Sequence, residues 1–207
     1  MQTFQLVALT TPGLPDPAIA IAASRADGLG VLNLEFVYDA QSAHSAIAKM
    51  VRYAGQKCGV RLDSSAHELT EQVLADLPAP VQVVILTSAD PEALPGYIRG
   101  LRGQSRGVWL EVTDAAQARL GEQLGVDGLI AKGHEAGGWV GEETTFILLQ
   151  RLLSQVHLPI WAQGGIGLHT AAACYAAGAA GVVLDSQLAL TRESQVPEAA
   201  KATIAAM

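Results

Sequence analysis

Cysteine, aromatic residues and basic charge are all scarce in this chain, and each scarcity excludes something. Only two of the 207 residues are cysteine, Cys58 and Cys174, and they flank no metal-type spacing. Each sits among apolar neighbours, so both are expected as buried free thiols in a reducing cytoplasm. Aromatic residues make up 5% of the chain, and alanine, glycine and valine take their place, which suits helices packed closely on a sheet. Charged residues amount to 16%, with 13 Lys and Arg against 20 Asp and Glu, a net charge of −7. The basic residues are scattered without a run or patch, which argues against nucleic acid as a partner. Long apolar runs are missing too. The stretch Ala18-Ile19-Ala20-Ile21-Ala22-Ala23 is too short to span a bilayer, and no basic segment precedes an apolar one at the N-terminus. A soluble, cytoplasmic protein without a membrane partner is expected.

What the chain does have is alternation. Half of its residues are apolar, and they fall into short β-branched segments separated by amphipathic ones. The strand candidates are Phe4–Thr10, Gly30–Leu34, Gly59–Leu62, Val81–Leu86, Gly107–Val112, Asp127–Ala131, Pro159–Ala162 and Gly181–Leu184. Helix starts are marked by Asp16-Pro17 and Asp90-Pro91, by a capping-box form at Ser65-Ala66-His67-Glu68, and by Asp114 before Ala115–Leu124, which Gly125 closes. The helix after Ser65 is expected to end near Leu77, and a last helical segment to run from Pro197 onward. Eight strands with seven intervening helices imply parallel pairing through right-handed crossovers. The expected fold is a compact (β/α)8 TIM barrel, one domain over residues 1–207, with an open doubly wound sheet as the alternative.

A ligand site in such a barrel lies at the C-terminal ends of the strands. Two glycine-rich breaks stand out there. Gly133-His134-Glu135-Ala136-Gly137-Gly138-Trp139-Val140 follows the sixth strand and precedes a helix, and Gln163-Gly164-Gly165-Ile166-Gly167 follows the seventh. Adjacent glycines let backbone N–H groups approach an anion closely, and the loops after strands seven and eight are where barrels commonly hold phosphate. The alternative is that these glycines only make tight turns. Asp185, at the end of the eighth strand, complicates the site. A carboxylate about 5 Å from a phosphate costs roughly 3 kcal/mol at an effective dielectric near 20, unless it points away or is paired.

Several segments together resemble the nitronate monooxygenase family, the FMN-dependent barrels also called 2-nitropropane dioxygenases. They are Ala26–Leu32, the loop Ala131–Gly138, the segment Leu158–Ile166 and the segment Ala177–Leu184. The same pattern occurs in enoyl reductases of fatty-acid synthesis and in barrel domains of large polyketide or fatty-acid synthases. The wording Gly-His-Glu-Ala-Gly-Gly-Trp-Val-Gly-Glu-Glu is most similar to that last group. The resemblance implies an oxidoreductase holding FMN through Lys132, Gly137, Gly138, Gly164, Gly165 and Ser186. It implies a small-molecule or acyl substrate and, as partners, other synthase domains. Four positions depart from the family pattern. Trp139 stands where the monooxygenases carry a base, Asp185-Ser186 replaces glycine and threonine, Arg61 replaces an asparagine, and the first strand ends Thr10-Thr11-Pro12-Gly13. The chain stops in an Ala-rich segment short of the family's C-terminal extension, so a longer parent protein is an expectation.

Individual residues carry paired readings. His134 is the catalytic candidate, replacing the absent base, or else a solvated histidine. Glu135 fixes its loop by accepting backbone N–H bonds, or touches the flavin. Lys132 neutralises a flavin phosphate or N1, or pairs with Asp127 or Glu111. Trp139 stacks on a ligand or fills the barrel mouth. His44, His67, His157 and His169 read as surface residues, and nothing has metal-ligand spacing. Two functions follow: an FMN-dependent oxidoreductase, or a catalytically degenerate barrel acting as a structural or docking module of a synthase.

Overall fold

The structure is a computed structural model that describes residues 4–55, 57–104 and 106–206. Its strands are β1 (Gln5–Leu9), β2 (Leu29–Asn33), β3 (Cys58–Leu62), β4 (Val81–Thr87), β5 (Gly107–Val112), β6 (Gly128–Lys132), β7 (Ile160–Gln163) and β8 (Gly181–Leu184). All pair in parallel in chain order, and β8 pairs with β1 from Gln5↔Gly181 to Ala8↔Leu184, closing the barrel. The open sheet is thereby ruled out. Strands β2, β3 and β6 are buried along their whole length, as expected where helices cover one face and the lumen the other. Around them run α1 (Ala18–Arg25), α2 (Ala40–Tyr53), α3 (His67–Ala75), α4 (Leu94–Arg102), α5 (Ala115–Leu124), α6 (Thr145–Leu153) and α7 (Leu168–Ala177). A short 3₁₀ segment (Ser186–Leu190) and α8 (Glu198–Ala205) follow β8. No helix among the described residues is long and apolar enough to cross a membrane.

The cap at Asp114 forms as its sequence indicates. Its carboxylate accepts from the Gln117 amide at 2.9 Å, and Gly125 closes α5 in the left-handed conformation at φ 73°. Three other starts differ. Asp90 accepts from the amides of Glu92 and Ala93, so it caps a turn and α4 begins only at Leu94. The Ser65 hydroxyl donates to Asp63 Oδ1 at 2.8 Å instead of capping α3, which starts after Ala66 and ends at Ala75 rather than near Leu77. At Ser65 the Asp63 carboxylate, a strong acceptor, captures the hydroxyl expected to cap the helix. Before α1, Pro17 occupies the cap position and Asp16 reaches the Ala18 amide at 3.4 Å. His44 is half-buried rather than a surface residue, with Nε2 buried and unpaired. Both cysteines are free and buried, and burial pushes their thiols up.

Two apolar regions result. The larger lies between strands and helices and includes Leu32, Ile47, Met50, Leu86, Leu148 and Val182. The smaller fills the lumen with Val7, Leu9, Leu29, Val31, Ile85, Trp109, Ile130, Trp161 and Val183. There the Trp109 and Trp161 rings stack at 3.8 Å between centroids. The lumen admits Trp161 only because its neighbours are glycines. A Cβ at Gly128 would lie 2.5 Å from the Trp161 ring, and one at Gly181 would lie 2.6 Å from it and 2.0 Å from the Gln5 carbonyl oxygen. On the outside, the place between β8 and β1 is less well covered. Helix α8 packs on the 3₁₀ segment with none of its residues buried, and Leu6 on the outer face of β1 remains 51% exposed.

Candidate functional site at the C-terminal mouth

Above the tryptophan stack the lumen changes character. Inward-facing positions alternate along each strand, and the last inward positions of β2, β3, β5, β6 and β7 are Asn33, Arg61, Glu111, Lys132 and Gln163. All five are buried. Arg61 grips Glu111 in a bidentate pair, with Nε and Nη2 each 2.8 Å from a carboxylate oxygen. Its Nη1 donates to Glu35 at 2.8 Å and to Asn33 at 3.1 Å. Lys132 donates to Glu111 at 3.1 Å. Two cations thus balance two carboxylates. Burial pushes the Glu111 carboxyl up, but Arg61 and Lys132 outweigh it and hold the group below the usual carboxylate range. The same pairing, against the cost of burial, holds Arg61 firmly protonated.

The β6–α6 loop crosses over this ionic layer. It begins beside β7, where a Cβ at Gly164 would lie 2.7 Å from Thr145 Oγ1 and 2.9 Å from the Ala136 nitrogen. It passes over the centre at Gly138, whose φ of 79° favours glycine and whose Cβ position faces Glu35 and Lys132 at 3.3 and 3.5 Å. It then descends on β5, where Gly141 abuts the Thr113 carbonyl. Glu135 pins the loop by accepting from the Thr145 amide at 2.9 Å. That bond, with the Thr145 hydroxyl and His134, keeps its carboxyl low although partial burial pushes it up. Trp139 ends up 79% exposed, and with Val140 it walls a cavity of about 360 Å³. Asp63, Ser65, Thr87 and Thr113 form the opposite side, and Glu35, Arg61 and Glu111 also line it. His134 is exposed, with its amide bonded to the Glu143 carbonyl, and is not among the cavity's lining residues.

At the β7–β8 rim the two glycine breaks come together. Gly164 and Gly165 both have positive φ, at 112° and 60°. Among the described residues, the amides of Gly137, Gly138, Gly164 and Gly165 donate to no internal acceptor. Helix α7 starts at Gly167 without a side-chain cap, leaving its first amides unpaired by a side chain. Asp185 stands beside them. Its Oδ2 accepts from Gln163 Nε2 at 3.0 Å, and its Oδ1 accepts from the Ser186 amide at 2.7 Å. The Ser186 hydroxyl lies 3.4 Å from the same oxygen. Of the six residues expected to meet a cofactor, the four glycines have free amides, whereas Lys132 is bonded to Glu111 and Ser186 to Asp185. The ionic layer escaped recognition as one unit. Its signal in the sequence is a charged or amide residue at the last inward position of five strands, and Asn33 in particular drew no notice.

A closed barrel of eight parallel strands, with free amides on its glycine-rich loops and a cavity in its upper mouth, defines the chain as a (β/α)8 barrel with a candidate ligand site. The chain belongs to the nitronate monooxygenase family, whose model matches residues 31–207. It is 30% identical over 190 residues to a 5-hydroxy-7a-methyl-1-oxo-octahydro-1H-indene-4-carboxyl-CoA dehydrogenase of Rhodococcus jostii, covering 89% of this chain and 52% of that protein. The dehydrogenase of the same description from Mycobacterium tuberculosis is 32% identical over 188 residues, covering 87% and 51%. The chain therefore spans about half the length of the curated relatives it matches. FabK from Thermotoga maritima superposes with a TM-score of 0.82 at 29% identity, covering 95% of this chain and 63% of that one. Nitroalkane oxidase from Streptomyces ansochromogenes shares the fold with a TM-score of 0.79 at 24% identity, covering 97% and 71%.

Proposed function

We propose that this chain is a flavin-dependent oxidoreductase barrel that holds its cofactor across the C-terminal mouth and acts on a small or acyl substrate by hydride or electron transfer. The observation that carries this reading is the set of glycine amides without internal acceptors on the two loops that meet beside β7, Gly164 and Gly165 lying next to an uncapped helix start. Such donors suit the polar chain of a flavin, and the adjoining 360 Å³ cavity falls within the roughly 300–1,000 Å³ of small-molecule sites. A bound flavin supplies acceptance and donation of a hydride or of single electrons. The chain supplies the cradle and, at the cavity wall, Trp139 to stack on the ligand and exclude water. No histidine lines the cavity, which favours hydride transfer over proton removal by an imidazole. At the phosphate end of FMN the fit is poorer, because Asp185 occupies that part of the rim.

A second reading has its own support. The ionic layer is neutral, buried and complete without a ligand, as expected of a barrel kept as a structural or docking module of a polyketide or fatty-acid synthase. The visible spectrum of the purified protein separates the two. Flavin absorption bands, present at once or restored by added flavin, are expected; a colourless protein that ignores added FMN and riboflavin would establish the module instead.

A further inference from the structure

We infer that Asp185 is a specificity residue that turns this site from phosphorylated toward unphosphorylated ligands: the rim selects a flavin, or a similar ring-bearing polyol, whose chain ends in a hydroxyl. The inference rests on the flavin reading above and names the ligand class of that site. Asp185 is anchored, not free to swing away. Three donors hold it, namely the Gln163 amide group at 3.0 Å, the Ser186 backbone at 2.7 Å and the Ser186 hydroxyl at 3.4 Å. All three are neutral groups, so none of them brings an opposing charge to the carboxylate. Among the described residues no Lys, Arg or His lies within salt-bridge distance of it. Lys132, at the end of β6 two strands away, is committed to Glu111 at 3.1 Å.

The carboxylate also occupies the donors that an anion would need. Ser186 gives it both its amide and its hydroxyl, and Asp185 thereby plays within the chain the part that a phosphate would play from outside. The carboxylate fixes Gln163 as well: since Asp185 must receive the NH2 group, Gln163 Oε1 is turned away and left buried without a partner. Gln163 is directly followed by Gly164 and Gly165, so the charge is tied to the strand end that leads into the free glycine amides. A phosphate about 5 Å from that carboxylate would be repelled, a penalty on the order of a hundredfold in affinity. A terminal hydroxyl would instead donate to the carboxylate in a charge-assisted bond.

Flavin fluorescence titrations with FMN and with riboflavin test this on the wild-type chain and on Asp185→Asn and Asp185→Ser, with circular dichroism confirming that each variant is folded. Asp185→Asn keeps the shape of the side chain and its bonds to Ser186 in modified form, so a loss of fold in the serine variant does not stop the test. The expected result is that the wild type prefers riboflavin over FMN by about a hundredfold, with the preference shrinking at high salt and collapsing or reversing in the variants. Wild-type binding of FMN as tight as riboflavin, or an unchanged ratio in a folded variant, overturns the inference while leaving the flavin reading intact. Failure of both flavins to bind any of the three proteins sinks the flavin reading and the inference together.

Discussion

The lower and upper halves of the barrel lumen are built from the same eight strands and solve the same packing problem by opposite means. Below, Trp109 and Trp161 fill the space with stacked rings, and glycines at 128 and 181 make room for them. Above, a guanidinium, an ammonium and two carboxylates fill it with charge that cancels internally. The lower layer has a single polar loose end, the unpaired Trp161 Nε1, while the upper has Gln163 Oε1. Volume excludes water in one half. Charge pairing orders the other and leaves it facing a cavity. The difference teaches that the lower lumen is apolar scaffold and that polarity is confined to the end that carries the candidate site.

The comparison can be broken most severely from below. Gly181→Val would drive a side chain into the Gln5 carbonyl and the Trp161 ring, where even a Cβ has no space. Overpacking against backbone is not relieved by rotamer change, so the variant is expected to yield no soluble folded protein, judged by circular dichroism and gel filtration. From above, Arg61→Met removes one partner of a buried ion group, leaving Glu35 without an ion-pair partner and Glu111 with Lys132 alone. A loss of about 3–5 kcal/mol in urea unfolding is expected. A loss under 1 kcal/mol would mean that the layer is hydrated and not the closed unit described here.

The smallest effect sharpens the contrast. Because the Glu111 carboxyl is held low in the folded chain, its contribution to stability is present above the ordinary carboxylate pKa and is lost as pH falls through the lowered value. The unfolding midpoint should therefore decline on acidification below about pH 4. In Glu111→Gln, whose starting stability is lower, that slope should flatten. The tryptophan layer has no titrating group and should add nothing to it, which Trp161→Phe can check by retaining the wild-type slope.

Much of the architecture was legible in the chain itself. Strand positions fell within a residue or so of the observed ones because buried parallel strands write themselves as short β-branched runs. The α5 start and stop were legible because Asp114 and Gly125 act within a single turn. The starts of α3 and α4 were not, because the capture of Ser65 by Asp63 and the turn that Asp90 caps ahead of α4 depend on how the loops settle against neighbouring strands. In the site, the two glycine breaks, on which the resemblance to the family rested in part, and Asp185, which departs from the family pattern, were visible as letters. Their meaning was not visible. Whether Lys132 meets a ligand or Glu111, and whether Asp185 points out or bonds Gln163, depends on which strand lies alongside and in what register.

Sequence by itself determined the number and kind of elements, the class of fold and the rim on which a site would lie, since periodicity, caps and glycine placement act over a few residues. Tertiary structure alone decided the charge state of the mouth. Arg61 and Glu111 are fifty positions apart in the chain, and only closure of the barrel brings their side chains into one buried layer where desolvation makes pairing obligatory.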